Sequence, residues 1–275
     1  MSFQRSFKKL RTEKKTVLCV GLDPALPQQR KEAVIPSRYL KVHEENEARL
    51  NFCLDIIDAV SESAIAVKPN QQYIFGFTKK QHQKLTGYSR KKDLLTVLDY
   101  KLNDIGDTVA SAIFHLSEAG YDAITFNPLP GNLEETVKLA HRYGTMIRGR
   151  DLGIIVLTLM SNPEAEIFMK NAKVGKRALY NSIARQVRDF NADGCVVGAT
   201  GHVSEVDIKT IRGIVGTEKV LLIPGVGTQK GDARKVLNVA GENVLINVGR
   251  DIIYSKNPKS KAQGYNKLFL SVSHG

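Results

Sequence analysis

The chain contains no CxxC pair, and its three cysteines, Cys19, Cys53 and Cys195, are odd in number and widely spaced. That argues against a disulfide framework and for reduced core thiols, as in a cytoplasmic protein. The six histidines show no metal-ligand spacing, and "HEENE" at 43–47 lacks the second histidine that a zincin helix requires. Nothing in the sequence calls for a metal or another cofactor. No apolar run approaches the roughly 20 residues that span a bilayer, so no membrane segment is expected. The basic opening "MSFQRSFKKLRTEKK" has neither an apolar centre nor a small-residue cleavage site. It reads as an extension of about residues 1–15, not as a secretory or transit signal. No stretch rich in Gly, Ser or Pro divides the chain, so residues 1–275 are expected to form one domain.

What is present suits a packed core: 42% of residues are hydrophobic and 25% charged, which places the chain outside the disordered class. The net charge of +12 admits two readings, a nucleic-acid surface or a soluble protein with an anionic substrate. The lysines are spread along the chain, densest at 8–15, 79–92 and 170–177, with no aromatic RNA-binding motif among them. A solvated surface with no nucleic-acid partner is therefore expected.

Eight apolar or β-branched runs recur: 16–23, 64–70, 94–101, 122–128, 153–160, 194–200, 220–227 and 243–250. None shows the alternation of a one-sided sheet, which is the mark of parallel strands buried on both faces. Helical patterns separate them. Val109, Ala112, Ile113 and Leu116 follow "DIGDT" at helical spacing, with Gly120 as the stop. Asn132 with Glu135 reads as a cap and its return partner, and Ser204 starts another helix. Stretches 46–60 and 177–190 are helical, and 71–93 is expected to hold a helix and a mobile basic loop. Evenly spaced units with polar residues at strand ends predict a (β/α)8 TIM barrel; an open doubly wound sheet is the rival.

"VLDYKLNDIGDT" at 97–108 carries the chemistry. If Val97 packs inside the barrel, Asp99 and Lys101 share its parity and point toward the mouth. Lys68 ends the preceding strand and Asp104 follows in the loop. These charges either form a buried network that only neutralises itself or make a site. Four of them at strand ends on the functional face favour a site. A lysine held among carboxylates stays protonated and serves as a fixed cation and proton donor. Opposite, "IPGVGTQKGDARK" runs from strand 7 into a glycine-rich turn, and "NVGRD" follows strand 8. Barrels commonly bind phosphate there, with backbone N–H groups and Arg250 as donors. The reading is a phosphorylated small molecule whose reacting end gains negative charge.

At these residues the chain resembles the orotidine 5′-phosphate decarboxylase family, in its longer bacterial and archaeal subgroup. The motifs come in family order from "GLDP" (21–24) to "GRDIIYS" (249–255): "VKPN", D-x-K-x-x-D-I-x-x-T at 99–108, "SNP" at 161–163, "PGVGTQKGD" at 224–232, then Gly249-Arg250. The resemblance implies loss of CO2 from C6 of orotidine 5′-phosphate to give UMP, in pyrimidine synthesis, without metal or cofactor. It implies that Lys101 stabilises and protonates the C6 carbanion and that Asp99 lies beside the departing carboxylate. Lys68 would contact ribose and hold Asp99. Asp104 and Thr108 would reach the ribose of a neighbouring subunit's site, which implies a homodimer with shared sites. Asp23 would bind a ribose hydroxyl and Ser161 would read the pyrimidine amide edge. Gln229 and Arg250 would close over base and phosphate, and Gly249 would bind substrate beside Arg250. The chain departs from the family at Lys230, where glycine is usual, at Leu129, where an aromatic is common, and at Tyr100 and Leu102. The nearest alternative is a Mg²⁺-dependent sugar-phosphate enzyme of the same superfamily, a 3-keto-gulonate-phosphate decarboxylase or hexulose-phosphate synthase. The alternative of another class is a non-catalytic nucleotide- or RNA-binding barrel.

Overall fold

The computed structural model describes residues 1–225 and 233–273. Eight parallel strands close into a barrel. They are β1 (Leu18–Leu22), β2 (Ala66–Pro69), β3 (Leu95–Leu102), β4 (Ala123–Phe126), β5 (Gly153–Leu159), β6 (Gly194–Val197), β7 (Val220–Pro224) and β8 (Val244–Val248). Neighbours in sequence are neighbours in space, and β1 closes the ring against β8 through Cys19 opposite Asn247. The rival open sheet is thereby excluded. Seven strands fall within the apolar runs, because strands sandwiched between a filled interior and a shell of helices have no wet face, and β3 overruns its run by one residue, Leu102.

Two apolar layers follow from this. The outer one lies between strands and helices; the inner one fills the barrel with Cys19, Ala66, Val97, Ala123, Ile155 and Leu222, among others. The inner layer also contains Phe3 and Phe7, both essentially fully buried. They belong to the helix Phe3–Lys14, whose N-cap Ser2 accepts a hydrogen bond from the Arg5 amide. The basic extension is thus an amphipathic helix that seals the N-terminal end of the barrel. Phe3, Phe7 and Leu10 recur at i, i+4 and i+7 and turn inward, while the basic residues serve the rim. Lys14 Nζ donates to the carbonyls of Ser61, Ala64 and Lys92, and Arg11 pairs with Glu242 at 2.9 Å. Gly153 makes room for the plug: a Cβ there would lie 2.8 Å from Phe3 Cγ.

Segment 71–93 holds the expected helix, Lys79–Lys91, after a short 3-10 turn at Gln71–Tyr73, but most of its basic residues sit on that helix and not in a loop. The Thr78 side chain accepts from the Gln81 amide and Gln81 bonds back to the Thr78 backbone, a capping box that nucleates the helix. The expected Asn132 cap is also absent. Its side chain does not cap the helix Leu133–Arg148; instead Nδ2 donates to the Asp104 carbonyl at 3.0 Å. Tertiary demand outcompetes the local cap and ties the loop after β3 to the loop after β4. Ser204 does cap its helix, with Asp207 as return partner. The helix read over 177–190 covers Leu179–Asp189, since Arg177–Ala178 pairs with Lys173–Val174 in a two-stranded ribbon.

Candidate active site

The charged residues lie at the C-terminal mouth, as strand direction requires. β3 pairs regularly with β4 through Val97 opposite Ala123 and Leu98 opposite Ile124; the next pairing is Leu102 opposite Phe126. Asp99, Tyr100 and Lys101 therefore face Thr125 alone. This is a bulge, and it corrects the expected plain alternation of Asp99 and Lys101. Lys101 adopts φ +55°, the left-handed region that costs a non-glycine residue about 1–2 kcal/mol. Asp99 is anchored on its other side by an isolated parallel bridge to Asn70, just past β2.

The two lysines converge on one carboxylate. Lys68 Nζ donates to Asp99 Oδ2 at 2.6 Å, and Lys101 Nζ donates to Asp99 Oδ1 at 2.7 Å. Lys68 and Asp99 are nearly buried, whereas the Lys101 side chain is 47% exposed and so is open to a ligand in the mouth. Burial opposes charge on Lys68, but the Asp99 carboxylate outweighs it and raises the ammonium above its ordinary value. Burial likewise pushes the Asp99 carboxyl up, and the Lys68 and Lys101 ammonium groups more than reverse this, holding it well below the usual carboxylate range. Lys68 and Asp99 are thus both charged at neutral pH. Below them, burial pushes the Cys19 thiol up to about 12, so no nucleophilic thiolate forms there.

Asp104 does not join this network. Its Oδ1 accepts from the Ile105 amide at 2.9 Å, and no ion pair links it to either lysine among the described residues. Thr108 lies exposed in the first turn of the helix Gly106–Ala119. Both flank the exposed Ile105 in the segment that leads from β3 into that helix. Asp23 lies just past β1, near enough to Lys68 to favour its charged form, and its carbonyl accepts from Tyr254 Oη at 2.7 Å. Ser161 follows β5 and packs against Gly198, where a Cβ would lie 2.7 Å from the Ser161 Cβ. Gly249 packs on Gly21: a Cβ on Gly21 would lie 3.2 Å from the Gly249 Cα. Arg250 is exposed at the start of the short helix Arg250–Ile253. Gln229 and Lys230 fall outside the described residues.

The motif reading passed over two residues. Thr125, almost fully buried on β4, hydrogen-bonds both Asp99 and the Lys101 backbone. Asn247, on β8 at the level of Cys19, has a buried Oδ1 with no hydrogen-bond partner among the described residues. Thr125 sat in a run that read as plain strand; Asn247, a polar side chain interrupting "LIN", was a visible signal. A cavity of about 550 Å³ opens at the opposite end of the barrel beside Arg11, Lys15 and Glu242, and none of the expected site residues lines it.

The model of the orotidine 5′-phosphate decarboxylase / HUMPS family matches residues 16–265. The orotidine 5′-phosphate decarboxylase of Janthinobacterium sp. (strain Marseille) is 31% identical over 281 aligned residues, covering 99% of this chain and 97% of that protein. The enzyme of the same name from Herpetosiphon aurantiacus is 32% identical, covering 97% and 94%. In fold, the OMP decarboxylase of Leishmania donovani superposes with a TM-score of 0.79 at 24% identity, over the full length of both chains. A match of this extent, carried by a closed barrel with its charges at the mouth, settles the kinship: the chain belongs to the orotidine 5′-phosphate decarboxylase / HUMPS family.

Proposed function

We propose that the chain is an orotidine 5′-phosphate decarboxylase that converts its substrate to UMP with fixed charges alone. The observation that carries this is the Lys68–Asp99–Lys101 line, in which both lysines grip one carboxylate and Lys101 alone of the three reaches open space. As the C6–CO2 bond breaks, its electron pair stays on C6, where resonance offers little help. A preorganised ammonium is the natural counter-charge. Lys101 supplies it and then donates its proton to C6, closing the balance as UMP and CO2. Asp99, anionic at the mouth, disfavours a second carboxylate beside it and fixes the Lys101 head group. Both Asp99 oxygens are engaged by lysines, which supports charge stabilisation by ammonium groups where a sugar-phosphate relative would use Mg²⁺.

The remaining roles are proposals in the same sense. Asp23 and Lys68 hold ribose, Ser161 reads the pyrimidine edge, and Gln229, Gly249 and Arg250 hold base and phosphate. Binding energy from that remote phosphate can align the base for reaction. The detachment of Asp104 and Thr108 from their own chain's lysines supports a homodimer in which they complete the partner's site. Three buried, unpaired cysteines support a reducing, cytoplasmic setting. Residues 1–275 act as one barrel domain, with the N-terminal helix as its floor.

The test is loss of orotidine 5′-phosphate absorbance in excess EDTA, with Lys101→Ala alongside. Rapid turnover by the native chain, abolished in Lys101→Ala while UMP still binds, is the expected result. Activity on a sugar phosphate only after Mg²⁺ is restored would move the chain to the other branch of the family. Salt-sensitive RNA binding without turnover would favour a non-catalytic barrel.

A further inference from the structure

We infer that Thr125 is a positioning residue for the reaction, the side chain that holds the catalytic bulge of β3 in its working shape. The inference rests on the decarboxylase reading above. Three residues of β3 oppose one residue of β4, and that residue is Thr125. In a regular ladder the Lys101 amide would find a backbone carbonyl on the neighbouring strand. Here the amide donates to Thr125 Oγ1 at 2.9 Å.

That hydrogen bond decides the direction of the next one. A hydroxyl has one proton to give, and an Oγ1 that accepts from the Lys101 amide turns its own proton elsewhere. Asp99 Oδ1 lies 3.1 Å away and receives it. The same carboxylate oxygen accepts from Lys101 Nζ. One buried hydroxyl therefore grips the catalytic lysine at its backbone and, through Asp99, at its head group. The grip matters because Lys101 sits at φ +55°, a conformation that a lysine leaves unless its surroundings hold it. Thr125 is 1% exposed, so water does not take over when the hydroxyl is removed.

Valine has nearly the shape of threonine and keeps the β-branch that suits a strand, but it can neither accept from Lys101 nor donate to Asp99. Serine keeps both hydrogen bonds. The distant ribose and phosphate contacts do not involve Thr125, so the loss should fall on the chemical step and spare binding.

The experiment compares Thr125→Val and Thr125→Ser with the native chain for kcat and KM on orotidine 5′-phosphate, UMP binding and thermal melting. Thr125→Val is expected to lose about 10- to 100-fold in kcat, the scale of a small misplacement of a catalytic group. Its KM and UMP affinity should stay within about threefold of native, and Thr125→Ser should recover most of the loss. A native kcat in Thr125→Val overturns the inference. So does a Thr125→Ser as slow as the valine variant, or a loss shared equally by UMP binding and melting, which would make the hydroxyl merely structural. If Thr125→Val does not fold, Thr125→Ala carries the same comparison. An inactive native chain overturns the decarboxylase reading and this inference together, whereas an active chain indifferent to the hydroxyl overturns this inference alone.

Discussion

Replacing Lys68 by methionine separates what the charges do for stability from what they do for chemistry. The Lys68–Asp99 contact is short, at 2.6 Å, with side chains only 9% and 13% exposed. Removing one member of a buried pair typically costs about 3–5 kcal/mol, because the other charge stays buried without its counter-ion. Asp99 keeps two donors, Lys101 Nζ and Thr125 Oγ1, so the lower end applies. We expect Lys68→Met to lose about 3 kcal/mol at pH 7, a fall in Tm of roughly 6–12 °C for a chain of this size. The chain has no tryptophan, so unfolding is best followed by far-UV circular dichroism in urea. The double variant Lys68→Met, Asp99→Leu is the decisive partner. Apolar replacement of a whole buried ion pair is often neutral or stabilising, so the double variant should regain most of the loss while remaining inactive. A single variant within about 0.5 kcal/mol of native, or a double variant no better than the single, would refute this account of the network.

The plug and a distant ion pair provide two further tests. Phe7→Ala removes a fully buried ring from the barrel floor and should cost about 3–5 kcal/mol, read by urea midpoint, with kcat at low temperature unchanged; a loss under about 1 kcal/mol would mean the helix Phe3–Lys14 is not integral to the core. The His141 Nε2 lies 3.0 Å from Asp193 Oδ2, and that hydrogen bond, against the opposing effect of burial, raises the imidazole pKa in the folded chain. Its folded pKa lies above its unfolded value, so its contribution is complete below about pH 6.5 and lost as pH rises through the folded pKa. The stability difference between native and His141→Gln should therefore shrink from pH 5.5 to pH 8.5, and a difference that grows with pH would contradict the assignment.

Much of this protein is legible in its residue order. Eight strands are visible because a strand buried on both faces must be apolar throughout, and no tertiary knowledge is needed to see such a run. Lys68, Asp99 and Lys101 are visible because charged side chains stand out at the ends of those apolar runs. Other features depend on contacts between segments far apart in the chain. The N-terminal helix was legible as basic, but only the open floor of the barrel gives Phe3 and Phe7 a place to go. Asn132 looked like a cap until the Asp104 carbonyl claimed its amide.

The shape of the β3 bulge is the clearest division. The motif D-x-K supplies the charged groups, and strand periodicity alone would place Asp99 and Lys101 on one face by plain alternation. Register with β4 breaks that plain alternation, because two extra residues must be absorbed between Leu98 and Leu102. The amide freed by that misfit needs an acceptor, and the acceptor is supplied by Thr125, 24 residues further along the chain. Composition and spacing supplied the charged groups; strand pairing determined how they are arranged, since a buried amide left open by the bulge needs an acceptor, and the neighbouring strand presents one.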